Sequence, residues 1–169
     1  ISPAVRDLTQ TAPETLSNFQ DLDPDSGLEG AFGPQDVDPS VQTEVGQGEM
    51  PDPLISFDGF TNVLGYTPPD PVGDVGPNHY VAMANVHFAV YDKAGTLLYG
   101  PFANNTLWAG FGGDCETDNS GDPVVLYDQL ADRWMLTQFT SSGPTYFNCV
   151  ALSTTGDPTG TYYRYAFST

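Results

Sequence analysis

The sequence predicts an all-β chain built from antiparallel four-stranded units. Three observations carry this. Residues 121–167 alternate four short apolar segments with turn-rich joints. The 169 residues include 18 Gly, 15 Pro, nine Tyr and ten Phe, a composition suited to strands and turns. No window sustains apolar spacing at three and four residues, so no long helix is expected. A four-stranded meander of about 40 to 50 residues has the size of one β-propeller blade. The expected fold is therefore a partial set of antiparallel β-propeller blades, preceded by an extended N-terminal arm.

Residues 1–52 read as that arm. Apolar residues are sparse, prolines recur (Pro3, Pro13, Pro24, Pro34, Pro39, Pro51), and Asp-Pro pairs favour extended or turn conformations. Such a segment builds no core of its own. It is either disordered or laid over another surface, with Leu16, Phe19, Leu22 and Phe32 as anchors. One helical turn over 11–19 would be capped by Thr11, with Pro13 near its first position.

The texture changes near Leu54, so residues 53–169 form the second unit. Residues 54–57 are a short strand candidate. Residues 67–77, dense in Pro and Gly, leave no room for regular structure. Strands are expected over 79–84, 86–91 and 96–99, giving three strands of an earlier blade, and residues 100–121 form a long loop. The later blade has strands over 122–128, 133–139, 146–153 and 161–167, joined by turns at 129–132, 141–144 and 156–160.

Charge narrows the partners. The net charge is −18, from 22 acids against four bases. Residues 1–52 hold 11 acids and one base, Arg6; residues 53–169 hold 11 acids and three bases, Lys93, Arg133 and Arg164. Such a surface repels nucleic-acid backbones and anionic lipid. Calcium, cationic partners and neutral polysaccharide remain open. The apolar runs are far shorter than a bilayer needs, so no membrane insertion is expected. Ile1 is not an initiator Met, which reads as a processed chain.

Cys115 and Cys149 are the two cysteines. In a secreted chain they form one disulfide, worth about 4 kcal/mol on the chain-entropy account. Two buried thiols of a cytosolic protein are the alternative, and the acidic, Lys-poor character favours the extracellular one. A zinc site with His79 and His87 lacks ligand spacing.

The loop 114–122 is the metal candidate. Asp114, Glu116, Asp118, Asn119 and Asp122 set oxygen ligands at short spacings, which suits calcium. It is not an EF-hand, since Asn119 holds the glycine position and Val125 the closing glutamate position. A solvated acidic loop is the alternative. Asp70 and Asp74 sit on a stiff turn, where a structural role such as accepting backbone N–H bonds is expected.

Catalytic patterns are poor. No nucleophile elbow, His-Glu-x-x-His or phosphate-cradling loop occurs, and no catalytic residue is assigned. Asp128 and Asp132 flank a turn, where they cap a hairpin more readily than they form a glycosidase pair. His79 and His87 read as sheet residues. Trp108, Phe111, Trp134 and Tyr162 could stack on sugar rings, although blade aromatics usually pack between sheets.

Two resemblances follow from these motifs. Residues 153–163 resemble the Asp-box hairpin of sialidase-type propellers, with Asp157, Gly160 and Tyr163 in the Asp, Gly and aromatic roles. The insertion after Ser153 and the Tyr in place of Trp depart from that pattern. A generic polar turn is the alternative. In that family the motif implies a folding device, not catalysis. Segments 68–80, 91–95 and 121–134 resemble, in matching order, a class of large bacterial secreted β-propeller proteins. That likeness spans 53–169 and implies a propeller continuing beyond Thr169, completed by another polypeptide. It supplies no activity. The expected function is an extracellular or cell-surface binding or structural module, stabilised by calcium and one disulfide. The alternative is a fragment of a carbohydrate-active hydrolase or lyase with its catalytic residues elsewhere.

Overall fold

A computed structural model of the chain describes residues 1–8, 51–61 and 65–169. Among these the fold is all-β, with two four-stranded antiparallel meanders. The first sheet runs β1 (Val72–Val75), β2 (His79–Ala84), β3 (His87–Asp92) and β4 (Leu97–Ala103). The second runs β5 (Val124–Asp128), β6 (Arg133–Phe139), β7 (Phe147–Ser153) and β8 (Tyr162–Ser168). Each sheet keeps its strands in chain order, as short hairpin turns dictate. The two sheets do not close a ring.

The sequence expectations for β2 and β6 coincide with the strands found. Three others need correction. Residues 54–57 form no strand: Leu54 and Ile55 are exposed, and Phe57 leaves the backbone to rest against Tyr80 and Tyr91. Residues 67–77 do hold regular structure, namely β1, so the first sheet has four strands instead of three. An edge strand pairs on one side only, and β1 begins after Pro71 has ended the donor-poor stretch. The long loop is also shorter than expected, since β4 continues through Gly100 and Pro101 to Ala103, with register shifts against β3. A 3₁₀ turn (Asn104–Trp108) and a one-turn helix α1 (Asp114–Thr117) occupy the rest.

The core lies between the sheets. Val81, Met83, Phe88 and Val90 of the first face Val125, Trp134, Leu136 and Tyr162 of the second. Alternation along each strand selects these residues, since every second side chain points to the same face. The opposite face of the first sheet carries Tyr80, Ala82, Ala89 and Tyr91, and Phe60 packs over it. Phe57 also covers Gly95, where a Cβ would lie 2.6 Å from its ring. His87 sits on this face against Phe60, at 4.6 Å between ring centroids.

A disulfide joins Cys115 of α1 to Cys149 of β7, as the cysteine count suggested. The first residues of the chain lie on the β7–β8 hairpin. Ser2 and Val5 donate their N–H groups to the Tyr162 and Gly160 carbonyls, both at 2.8 Å, and Val5 is buried. The proposed anchors Leu16, Phe19, Leu22 and Phe32, and the helical turn at 11–19, lie outside the described residues. No helix among the described residues is long and apolar enough to cross a membrane.

Candidate functional site

The junction between the sheets is built from a short repeat. Asp70-Pro71-Val72 leads into β1 and Asp122-Pro123-Val124 into β5. Both aspartates have left-handed backbone, with φ of 40° and 44°. Asn85, in the β2–β3 turn, holds these two lead-in segments together. Its amide donates to the Asp70 carboxylate at 2.9 Å, and its Oδ1 accepts the Asp122 N–H at 2.9 Å. The first strands β1 and β5 then lie side by side. Asp74 spans them, accepting the Val75 N–H at 2.7 Å and the Tyr127 N–H at 2.8 Å. Gly76 passes so close to Trp134 that a Cβ there would meet the indole at 2.7 Å. Asp74 thus takes the role in backbone binding that its stiff turn suggested.

The acidic loop is organised by donors of its own chain. Glu116 accepts the Gly110 and Gly112 N–H groups, each at 2.7 Å, and these bonds hold its carboxyl below the usual range. Asp118 accepts the Ser120 hydroxyl and the N–H groups of Ser141 and Ser142. Burial pushes the Asp118 carboxyl up, but these serine donors outweigh it and the net shift is downward. Asn119 accepts the Asn105 N–H at 3.3 Å and donates to the Val86 carbonyl at 2.9 Å. Asp114 begins α1, and Asp122 turns away into the sheet junction. Glu116, Asp118 and Asn119 are thereby tied to three different sets of partners. Among the described residues no three His, Cys, Asp or Glu side chains gather in a way that could hold a metal ion.

The β7–β8 hairpin is tied by its own side chains. The Ser153 hydroxyl accepts the Trp134 N–H at 2.8 Å and donates to the Thr155 carbonyl at 2.6 Å. Asp157 accepts both the N–H and the hydroxyl of Thr159, at 2.8 and 2.7 Å. Burial pushes Asp157 up, yet Thr159 and the Arg6 charge bring its carboxyl below the usual range. Of the two tyrosines that follow the turn, Tyr162 and not Tyr163 packs into the core. Tyr162 is wholly buried with its hydroxyl on the Pro158 carbonyl, whereas Tyr163 is 43% exposed. One residue along a strand switches faces.

The remaining candidates are engaged singly. Asp128 accepts the Leu130 and Ala131 N–H groups as a hairpin cap, and Asp132 accepts the Tyr127 hydroxyl at 2.6 Å. Arg6 pairs with Asp157, Arg133 donates to the Ala131 and Asp132 carbonyls, and Arg164 donates to the Ala109 carbonyl over the Phe111 ring. The three arginines therefore form no common anion site. Trp108, Trp134 and Tyr162 are buried between the sheets. His87 is buried with neither ring nitrogen hydrogen-bonded among the described residues. Burial lowers its pKa, with a Thr61 backbone group opposing.

One surface stands apart. The outward face of the second sheet carries rows read directly from the register: Val124, Thr137, Val150 and Tyr165 form one, and Leu126, Met135, Leu152 and Tyr163 the next. A third crosses Phe139, Asn148 and Phe167. Val124, Leu126, Tyr165 and Phe167 are 41–55% exposed. At one end lies an open cavity of about 460 Å³, lined by Asp122, Val124, Phe139, Tyr146 and Asn148 among others. The sequence signal for the junction is the repeated Asp-Pro-Val; Asn85 lies outside it and is found only from its bonds to Asp70 and Asp122. Comparison of the chain with known protein families, with curated proteins and with solved structures returns no match.

Proposed function

We propose that this chain is an extracellular β-propeller-type module whose task is structural or binding, not catalytic. The observation that carries the reading is the junction: two four-stranded meanders set side by side through their first strands and tied by Asn85 and Asp74. Radial arrangement of four-stranded sheets around a central channel, as in a propeller, sets neighbouring sheets side by side. The Cys115–Cys149 disulfide and the acidic surface support an oxidising, extracellular setting. The acids that chemistry would draw on, among them Asp74, Glu116, Asp118 and Asp157, are spent on holding turns and strands. Neutral polysaccharide is one ligand class the charge leaves open, since anionic polymers are repelled.

The test incubates the intact protein with neutral, acidic and sulfated polysaccharides. Retention is read by affinity electrophoresis, and cleavage by new reducing ends and unsaturated sugars. Retardation on a neutral polymer without cleavage is the expected result. Release of reducing ends or unsaturated sugars would replace the module reading with the hydrolase or lyase one.

A further inference from the structure

We infer that residues 57–61 are an acid-released strap, closed over the outer face of the first sheet while His87 is neutral and freed when that imidazole takes up a proton. This device is independent of the binding or structural role proposed above.

The strap is held by its rings, not by its backbone. Phe57 meets Tyr80 and Tyr91, at 6.1 and 5.4 Å between centroids, and its ring fills the space that Gly95 leaves open. Phe60 packs on the cluster of Ala82, Ala89 and Tyr91, and its ring lies 4.6 Å from that of His87. Among the described residues, no backbone–backbone hydrogen bond joins residues 51–61 to either sheet. Backbone groups of Phe60 and Thr61 lie beside the Tyr91 hydroxyl and the His87 ring. Leu54 and Ile55, just before the strap, are exposed. A segment attached in this way opens more easily than the hydrogen-bonded strands beneath it.

His87 is the group in this contact that gains a charge in mild acid. It is wholly buried, and neither ring nitrogen has a hydrogen-bond partner among the described residues. A protonated ring in that place would carry two unmet donors and a full charge. Nothing around it balances such a charge. The register sets Ala84 of β2 and Ala103 of β4 opposite it, with Ala89 and Tyr91 further along its own strand. The titratable side chains on this face are the phenols of Tyr80 and Tyr91, and burial pushes that of Tyr91 up, away from the acid range. On the strap, Asp58 is exposed; beside the β2–β3 turn, the Asp70 carboxylate is held by Asn85. Burial lowers the His87 pKa, the Thr61 backbone group opposes it, and no charged side chain contributes.

Protonation therefore favours the open strap. The imidazolium needs water, and Phe60 is the cover that belongs to no sheet, whereas β2, β3 and β4 are fixed in their ladders. With the strap open the ring titrates near its ordinary value of about 6.5; with it closed, lower. The ratio of open to closed thus rises up to about tenfold for each pH unit below about 6.5, until the closed form itself accepts the proton. Opening bares the face made by Tyr80, Ala82, Ala89 and Tyr91.

The test follows the ring signals of Phe57, Phe60, Tyr91 and His87 by NMR in the full chain, from about pH 8 to about pH 4.5. Cross-relaxation between Phe60 and His87, and between Phe57 and Tyr91, should fade together at the midpoint of the His87 titration. Contacts between the paired Val81 and Val90 of β2 and β3 should persist. His87→Gln should keep the strap closed over the whole range. Phe60→Ala should return the His87 midpoint to about 6.5, a readout that stands if the glutamine variant fails to fold. Strap contacts that survive to about pH 4.5, or that fade equally in His87→Gln, would overturn the inference. So would a His87 midpoint unmoved by Phe60→Ala, or loss of the Val81–Val90 contacts in the same step.

Discussion

Reduction of the Cys115–Cys149 disulfide should lower the melting temperature by about 15 °C. The bridge closes a loop of 34 residues between a one-turn helix and the third strand of the second sheet. On the chain-entropy account this restricts the unfolded chain by about 4 kcal/mol. An unfolding entropy of about 2.1 cal/mol/K per residue over roughly 120 ordered residues turns that energy into the stated shift. The loss should also be local. Without the bridge, α1 is held by hydrogen bonds, among them those that Gln138 makes to the Cys115 and Asp118 carbonyls and that Asn105 makes to the Glu116 carbonyl. Hydrogen exchange should therefore accelerate first over 104–120. The assay compares calorimetric melts with and without phosphine reductant, with thiol alkylation confirming the state of each sample. Two alkylated cysteines in the untreated protein, or melts within 3 °C of each other where about 15 °C is expected, would refute the reasoning.

Acid should destabilise the fold in two stages. His87 has its folded pKa depressed by burial, so its stability contribution is present above its unfolded value of about 6.5 and is lost as pH falls below it. Asp118 and Asp157, also depressed, hold their contribution down to about pH 4 and lose it below. Melts taken from pH 8 to 3 should show both slopes, and His87→Gln should abolish the upper one alone; an unchanged upper slope in that variant would contradict the assignment. Chelation should leave the melt unchanged, because Glu116 and Asp118 are already bound by N–H and hydroxyl donors. A fall in melting temperature with chelator, reversed by calcium, would return the 114–122 oxygens to the role of metal ligands.

The parts of the fold legible in the sequence are those where alternation runs unbroken between turns. Arg133–Phe139 alternates half-buried and buried residues throughout, and its pattern is readable residue for residue. β1 is hidden because Pro, Gly and Asp crowd around it, and a paired edge strand tolerates all three on its open side. Residues 54–57 show the converse. An apolar run says that a side chain will seek an apolar surface, not whether its backbone joins a sheet, and Phe57 lies as a plug over Tyr91 and Gly95. The acidic loop exposes a similar limit. Oxygen-rich spacing does not show which donors of its own chain a loop captures, here Gly110 and Gly112 for Glu116 and Ser141 and Ser142 for Asp118. Tyr162 and Tyr163 are neighbours in sequence on opposite faces, so a shift of one residue misplaces the hairpin aromatic.

The docking of Ser2 and Val5 on the β7–β8 hairpin imposes an order in time. Its partners, Gly160 and Tyr162, lie almost the length of the chain away. Ribosomes add about 5–20 residues per second, so Ser2 and Val5 wait about 8–30 s for their seat to be made. During that interval Val5 has no core to join. The first sheet, whose hairpins are local, can pair as it emerges, while residues 2–5 settle only after the β7–β8 hairpin is made. Anything that grips residues 2–5 would therefore hold the second sheet uncapped without disturbing the first.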